Sequence, residues 1–133
     1  MVQPEPQPGG ELAIRTLAMP ADANPSGDIF GGWVLSQMDI AGGLVARERA
    51  RGRVATVAIT AMTFHLPVYV GDVLCAYVEI EKLGRTSIST WIEAWVLRGK
   101  SGERVRVTAG QFVYVALDES GRPRPVPEEE NAG

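Results

Sequence analysis

Residues 24–50 read NPSGDIFGGWVLSQMDIAGGLVARERA, and this stretch decides the architecture. It opens as a loop of Gly and small polar residues. It continues as a helix that begins near Ile29 to Gly32 and ends near Gly52. Trp33, Val34, Leu35, Met38, Ile40, Leu44 and Val45 point to several sides, and a helix apolar all round belongs inside something. Asp28 or an earlier polar residue is placed to cap its start. Arg47, Glu48, Arg49 and Arg51 bring the last turns into water, with basic side chains where the helix dipole favours them, and Gly52 is placed to cap the end. Asp39 is the one carboxylate among the apolar positions. An ionised Asp there costs several kcal/mol, of order, unless it is paired or used.

Outward from the helix the period changes from 3.6 to two. Glu11–Ala18 is a short strand with Leu12 and Ile14 on one side, and Met19–Gly27 is a loop rich in Pro and Asx residues. Val54–Phe64 is a long strand that Pro67 and the VGD of Val70–Asp72 interrupt. Val73–Lys82 alternates, with Leu74, Ala76, Val78 and Ile80 on one face. Leu83–Thr86 is a turn. Thr86–Leu97 alternates again, with Ile88, Ile92, Ala94 and Val96 opposed by Ser87, Ser89, Trp91, Glu93 and Trp95. Gly99–Glu103 is a hairpin loop, and Arg104–Ala116 is a last strand assigned Val105, Val107, Val113 and Val115 on one face. Short turns make antiparallel neighbours, and one helix with one long antiparallel sheet packs as two layers, an α+β domain. Strands this long twist and can curl around the helix. Trp91 and Trp95 on the outer face imply that a second subunit covers it.

Composition limits the function classes. The 133 residues make one domain by length, and 45% hydrophobic content is ordinary for a globular protein. A net charge of -3 with no basic cluster argues against nucleic acid as a partner. No apolar run approaches the roughly 20 residues of a membrane span. The opening MVQPEPQPGG lacks a basic region followed by an apolar core, so no secretory leader is expected. Cys75 is alone, which excludes an internal disulfide and suits a reducing, cytoplasmic setting. Residues 1–10 are Pro, Gln and Gly with little apolar content and are expected to be disordered; residues 118–133, Pro-rich and acidic at the end, are expected to form an extended, mostly disordered tail. The globular part is then 11–117.

Two elements carry chemistry. Asp39 shares a helix face with Leu35, Ser36, Gly42 and Gly43. Two consecutive glycines cost the helix about 1 kcal/mol each against Ala and leave bare backbone, so a ligand or another chain could come close. Asp39 is then a base or nucleophile facing a cavity; an Asp paired with an Arg or hydrogen-bonded in the core remains the other reading. The second element is GDIFGG, Gly27–Gly32. Glycines at a helix start leave N–H groups free to hold an oxyanion or phosphate, although a plain tight turn fits the same residues. Asp39 lies roughly 10 Å along the axis from Gly32 at ~1.5 Å per residue. A carbonyl carbon and its oxygen cannot touch both within one chain, so a site using both needs two chains.

The run LAIRTLAMPADANPSGDIFGGWVLSQMDIAGG, with MTF, PVYVGDVL and GRTSIS after it, resembles the hotdog-fold acyl-CoA thioesterases of the short bacterial YciA type, over about Leu12 to Pro127. The resemblance implies a long central helix wrapped by a five- to six-stranded antiparallel sheet, a homodimer as the minimum unit and a hexamer built as a trimer of dimers. It implies hydrolysis of acyl-CoA to free acid and CoA, as in fatty acid metabolism, with no metal and no cofactor. Asp39 matches the catalytic Asp, as base or nucleophile. Asn24 matches a loop Asn that positions water or polarises the carbonyl from the other subunit. Gly31 and Gly32 match the oxyanion N–H donors. Gly84, Arg85, Thr86 and Ser87 match a turn near the CoA phosphates, where Arg85 supplies charge. Phe64 and Met62 match lining of the acyl or pantetheine channel. The sequence departs from the pattern at Leu66, which stands where a basic residue is usual, with His65 beside it.

Other chemistries fit less well. Asp22, Asn24, Ser26, Gly27 and Asp28 imitate the start of a calcium loop, but Trp33 stands at its twelfth position and Pro25 interrupts the turn. No nucleophile-elbow serine motif is present, and one Cys with one His makes neither a Cys–His site nor a zinc set. A hotdog dehydratase or hydratase would pair its carboxylate with a catalytic His, whereas His65 reads as a strand-end surface residue. A non-catalytic acyl-CoA binding protein is the other alternative.

Overall fold

The structure is a computed structural model that describes residues 7–129. Its elements are β1 (Glu11–Leu17), a short 3-10 turn (Pro20–Asp22), α1 (Gly31–Ala50), β2 (Val54–Phe64), β3 (Val73–Leu83), β4 (Ser87–Leu97) and β5 (Arg104–Ala116). All five strands join one antiparallel sheet in the order β1-β3-β4-β5-β2. Because β1 and β2 form opposite edges, the segment between them must cross the whole sheet. That segment is α1, which touches all five strands. This is the expected α+β hotdog arrangement, with five strands.

The core lies between α1 and one sheet face. Val34, Met38, Ala41, Gly42, Ala46 and Ala50 of the helix are buried at helical spacing. They meet Leu74, Ala76 and Val78 of β3 and Ile88, Ile92, Ala94 and Val96 of β4. Ile40 and Leu44 remain about half exposed in the single chain, at 51% and 50%. The helix is therefore covered by its own sheet on one side only.

Several expectations are corrected. The face of β5 that meets the helix carries Phe112, Tyr114 and Ala116, not Val113 and Val115. Register slips between Ala94 and Trp95, so that Thr108 opposes Ala94 while Arg106 opposes Trp95. The extra residue is a bulge, and a bulge reverses which side chains face inward. Asp28 does not cap α1. The N-cap is Phe30 without a side-chain bond, because Asp28 is held in a bridge to Tyr69. At the other end Arg51 takes the left-handed conformation at φ 54°, and the Gly52 N–H closes on the Arg47 carbonyl at 3.2 Å.

The chain ends also differ from expectation. Residues 1–6 and 130–133 lie outside the described residues, but Gln7–Gly10 and Asp118–Glu129 pack on the domain. Gly10, at φ +92°, lies so close to the Val78 carbonyl that any Cβ would collide with it. In the tail, the Val126 N–H donates to the Arg85 carbonyl at 2.8 Å. The Arg124 guanidinium donates to the Ala50 carbonyl at 2.7 Å and the Leu117 carbonyl at 2.9 Å. Pro-rich composition signals an extended chain; these bonds, one of them to the orphan Ala50 carbonyl at the end of α1, dock it. On the outer face, Trp95 is already buried by its own chain. Its Nε1 donates to Glu93 at 2.9 Å, and the Arg104 guanidinium lies 5.8 Å from its ring. The apolar surface left open is instead on edge strand β2, where Val57 and Ile59 are exposed, and on the adjoining flank of α1.

Candidate active site

Asp39 sits in the middle of α1, half-buried, beneath the pair of strands β2 and β5. Register places Thr56 opposite Tyr114 on those strands, with both side chains toward the helix. Their hydroxyls converge on one oxygen. Thr56 Oγ1 donates to Asp39 Oδ1 at 2.6 Å. The Tyr114 hydroxyl lies 3.2 Å from the same Oδ1 and 2.9 Å from the Asp39 backbone carbonyl. No hydrogen bond among the described residues reaches Oδ2. The partners of the carboxylate are hydroxyls, not a guanidinium: of the two structural alternatives for Asp39, an Arg pair is absent among the described residues and hydrogen bonding is present, through Oδ1. Burial, then the charge of Asp39, then the bond to it, raise Tyr114 far above the ordinary phenol range. The phenol therefore stays a protonated donor.

Neither Thr56 nor Tyr114 was found by sequence reasoning. The usable signal was Gly42. A Cβ there would collide with the Tyr114 hydroxyl and with Ile92 Cδ1. The bare backbone beside Asp39 thus receives a tyrosine of the same chain. Gly43 is different: its nearest neighbour would be Tyr114 Cε1, at an ordinary 3.8 Å.

A second cluster forms at the start of the helix. Asn24, Asp28, Gly31, Phe64, His65 and Leu66 line a cleft of about 360 Å³. Asn24 Oδ1 accepts the N–H groups of Ser26 at 2.9 Å and Asp28 at 3.1 Å, which fixes the loop shape. The N–H groups of Gly31 and Gly32 take no hydrogen bond among the described residues, and the Phe64 ring lies over Gly31. Met62 packs instead on the core side, over Gly110. One wall of the cleft is pinned from outside. Arg98 donates to Asp72 Oδ2 at 2.6 Å and to the Pro67 carbonyl at 2.9 Å, and covers the Tyr69 ring at 4.9 Å. Asp39 does not line this cleft. A larger hollow of about 1010 Å³ lies over Glu93, Trp95 and Arg104, on the sheet face away from Asp39.

Gly84–Ser87 form the β3–β4 turn, closed by the Gly84 N–H on the Ser87 carbonyl at 2.8 Å. Arg85 is exposed, and its carbonyl holds the C-terminal segment. Ser87 stands opposite Val115, one residue beyond Tyr114, so this turn is at the Asp39 side of the sheet. Sequence-identified residues therefore fall in four places: Asp39 alone at mid-helix, Asn24, Gly31, Gly32 and Phe64 at the helix start, Gly84–Ser87 at the hairpin, and Met62 over Gly110. Among the described residues no group of three or more His, Cys, Asp or Glu side chains is disposed to hold a metal ion.

Residues 26–109 match the family model of the thioesterase superfamily. The acyl-CoA thioester hydrolase YciA of Salmonella typhimurium is 56% identical over 123 residues, covering 90% of this chain and 92% of its own. Among solved structures, the hexameric broad specificity acyl-coenzyme A thioesterase HI0827 superposes with a TM-score of 0.90 at 50% identity, covering 95% of this chain and 87% of that one. The hexameric hotdog fold thioesterase Cj0915 of Campylobacter jejuni gives 0.85 at 38% identity, covering 89% and 91%.

Proposed function

The chain belongs to the thioesterase superfamily, among its hotdog-fold acyl-CoA thioesterases, and on that footing we propose that it hydrolyses acyl-CoA with Asp39 as the reacting carboxylate. One observation supports this most: Asp39 is anchored through Oδ1 alone, which leaves Oδ2 for chemistry. A carboxylate aimed in this way can take a proton from water as the water oxygen bonds to the thioester carbon. The same oxygen can instead attack that carbon itself, giving a mixed anhydride that a water then hydrolyses to the free acid, which restores the carboxylate and releases the proton. In either route the C–S bond breaks, CoA leaves as the thiolate, and the proton ends on sulfur or in solvent. Carboxylate, water and backbone N–H groups suffice, so the reaction as drawn needs no metal or cofactor.

The negative charge that develops on the thioester oxygen needs donors. The free N–H groups of Gly31 and Gly32 at the positive end of α1 suit it, with Asn24 beside them. Within one chain they stand apart from Asp39 along the helix, and this separation supports a site shared between two subunits. The exposed β2 edge and the apolar flank of α1 at Ile40 and Leu44 suit a partner copy. A homodimer is the minimum unit in this reading, and the hexameric relatives support a trimer of dimers. The Gly84–Ser87 turn, with Arg85, receives the CoA phosphates; Phe64 lines the acyl or pantetheine path. No helix among the described residues is long and apolar enough to cross a membrane, and the single Cys suits a cytoplasmic location.

The hydratase alternative loses support because His65 lies in the cleft with Asn24 and makes no bond to Asp39. Release of free thiol from a series of acyl-CoAs, followed with a thiol-reactive dye, tests the activity. Binding of acyl-CoA without thiol release would leave the non-catalytic reading. Inactive Asp39→Asn and Asn24→Ala subunits, mixed and shown to exchange, should regain activity; no recovery would contradict a shared site.

A further inference from the structure

We propose that Tyr114 is a positioning residue for Asp39: its hydroxyl, received into the gap left by Gly42, fixes which carboxylate oxygen faces the substrate. The inference rests on Asp39 being the reacting group. Three observations lead to it. The hydroxyl spans the backbone carbonyl and Oδ1 of the same residue, at 2.9 and 3.2 Å, so it reads side-chain rotamer and helix position together. The ring is 1% exposed and set into strand β5, so it cannot follow if Asp39 turns. The helix gives up its Cβ at Gly42, at a cost of about 1 kcal/mol in propensity, where that hydroxyl sits.

A carboxylate has two equivalent oxygens and a rotatable χ2. Thr56 alone can bond either oxygen from an exposed strand. A second, rigid donor on Oδ1 removes that freedom and leaves Oδ2 as the oxygen that meets water or the thioester carbon. Burial, with the Asp39 charge beside it, holds the phenol above its ordinary range, so it stays a donor. Tyr114 does not itself reach the reacting atoms in this arrangement. It acts through Asp39, and its loss should appear in the chemical step and not in substrate affinity.

The test is Tyr114→Phe, which keeps the ring and the fold and removes one hydroxyl. Steady-state kinetics of the full-length enzyme on acyl-CoA should show kcat lower by about 10- to 100-fold, the range of a hydrogen bond to a charged group, with KM within about threefold. In an Asp39→Asn background the same change should alter the residual rate by less than about twofold, because the group it aims is gone. A merely structural role would lower Tm and leave kcat per folded site unchanged. Should Tyr114→Phe not fold, Gly42→Ala displaces the hydroxyl without removing it and gives the same readout. Unchanged kcat in Tyr114→Phe, or an equal loss in the Asp39→Asn background, overturns the inference while leaving Asp39 in place. Full activity in Asp39→Asn overturns the reading it rests on.

Discussion

Gly42 and Gly43 are neighbours on one helix, yet an added methyl should have opposite effects at the two. Removing a helical glycine gains about 1 kcal/mol in either position. At Gly43 the new Cβ would meet only Tyr114 Cε1, at 3.8 Å, so the gain should stand. At Gly42 it would strike the Tyr114 hydroxyl and Ile92 Cδ1, with Tyr114 Cζ next at 2.9 Å. Both side chains are buried and neither has room to move. Overpacking of this kind costs about 3 kcal/mol at the upper end of its range, so the net loss is about 2 kcal/mol. At roughly 3 °C per kcal/mol for a domain of this size, Gly43→Ala should raise Tm by about 3 °C and Gly42→Ala lower it by about 6 °C. Thermal unfolding measured at one protein concentration reads both. Gly42→Ala should also lower kcat through the displaced hydroxyl. Two variants shifted upward together would refute the packing of Tyr114 into α1.

Asp72→Ala should lower stability by about 3–5 kcal/mol in denaturant titration, because it strands the Arg98 guanidinium beside a buried site. Arg124→Ala should cost about 2 kcal/mol by the same measurement, since it removes charged donors from the Ala50 and Leu117 carbonyls. Trp95→Ala should cost about 3–5 kcal/mol even though it lies on the outer sheet face, being 5% exposed there. A loss below about 1 kcal/mol would contradict the burial of Trp95 by its own chain.

Much of this architecture was legible in the residues. Helix and strand limits followed from the switch between periods, and β2 and β5 begin and end where Val54–Phe64 and Arg104–Ala116 were drawn. Asp39 stood out because charge among apolar neighbours is costly. What was not legible depended on contacts between distant segments. The bulge near Val107 leaves no mark in the alternation, so valines were assigned to a face that Phe112 and Tyr114 occupy. Thr56 and Tyr114 lie 17 and 75 positions from Asp39, and only the β2–β5 register brings them together. The docked tail was missed because composition reports the lack of a core, not the hydrogen bonds that Arg124 makes.

Asp39→Asn keeps the shape of the side chain and takes away its capacity to accept a proton or form a bond to carbon. Thiol release from acyl-CoA by this variant, with Tm and oligomeric state matched to the parent protein, is the most direct measurement. Turnover should fall at least ~100-fold, the scale of general-base contributions. A variant that releases CoA at the parent rate would remove Asp39 from the chemistry and leave Thr56 and Tyr114 holding a carboxylate of purely structural use.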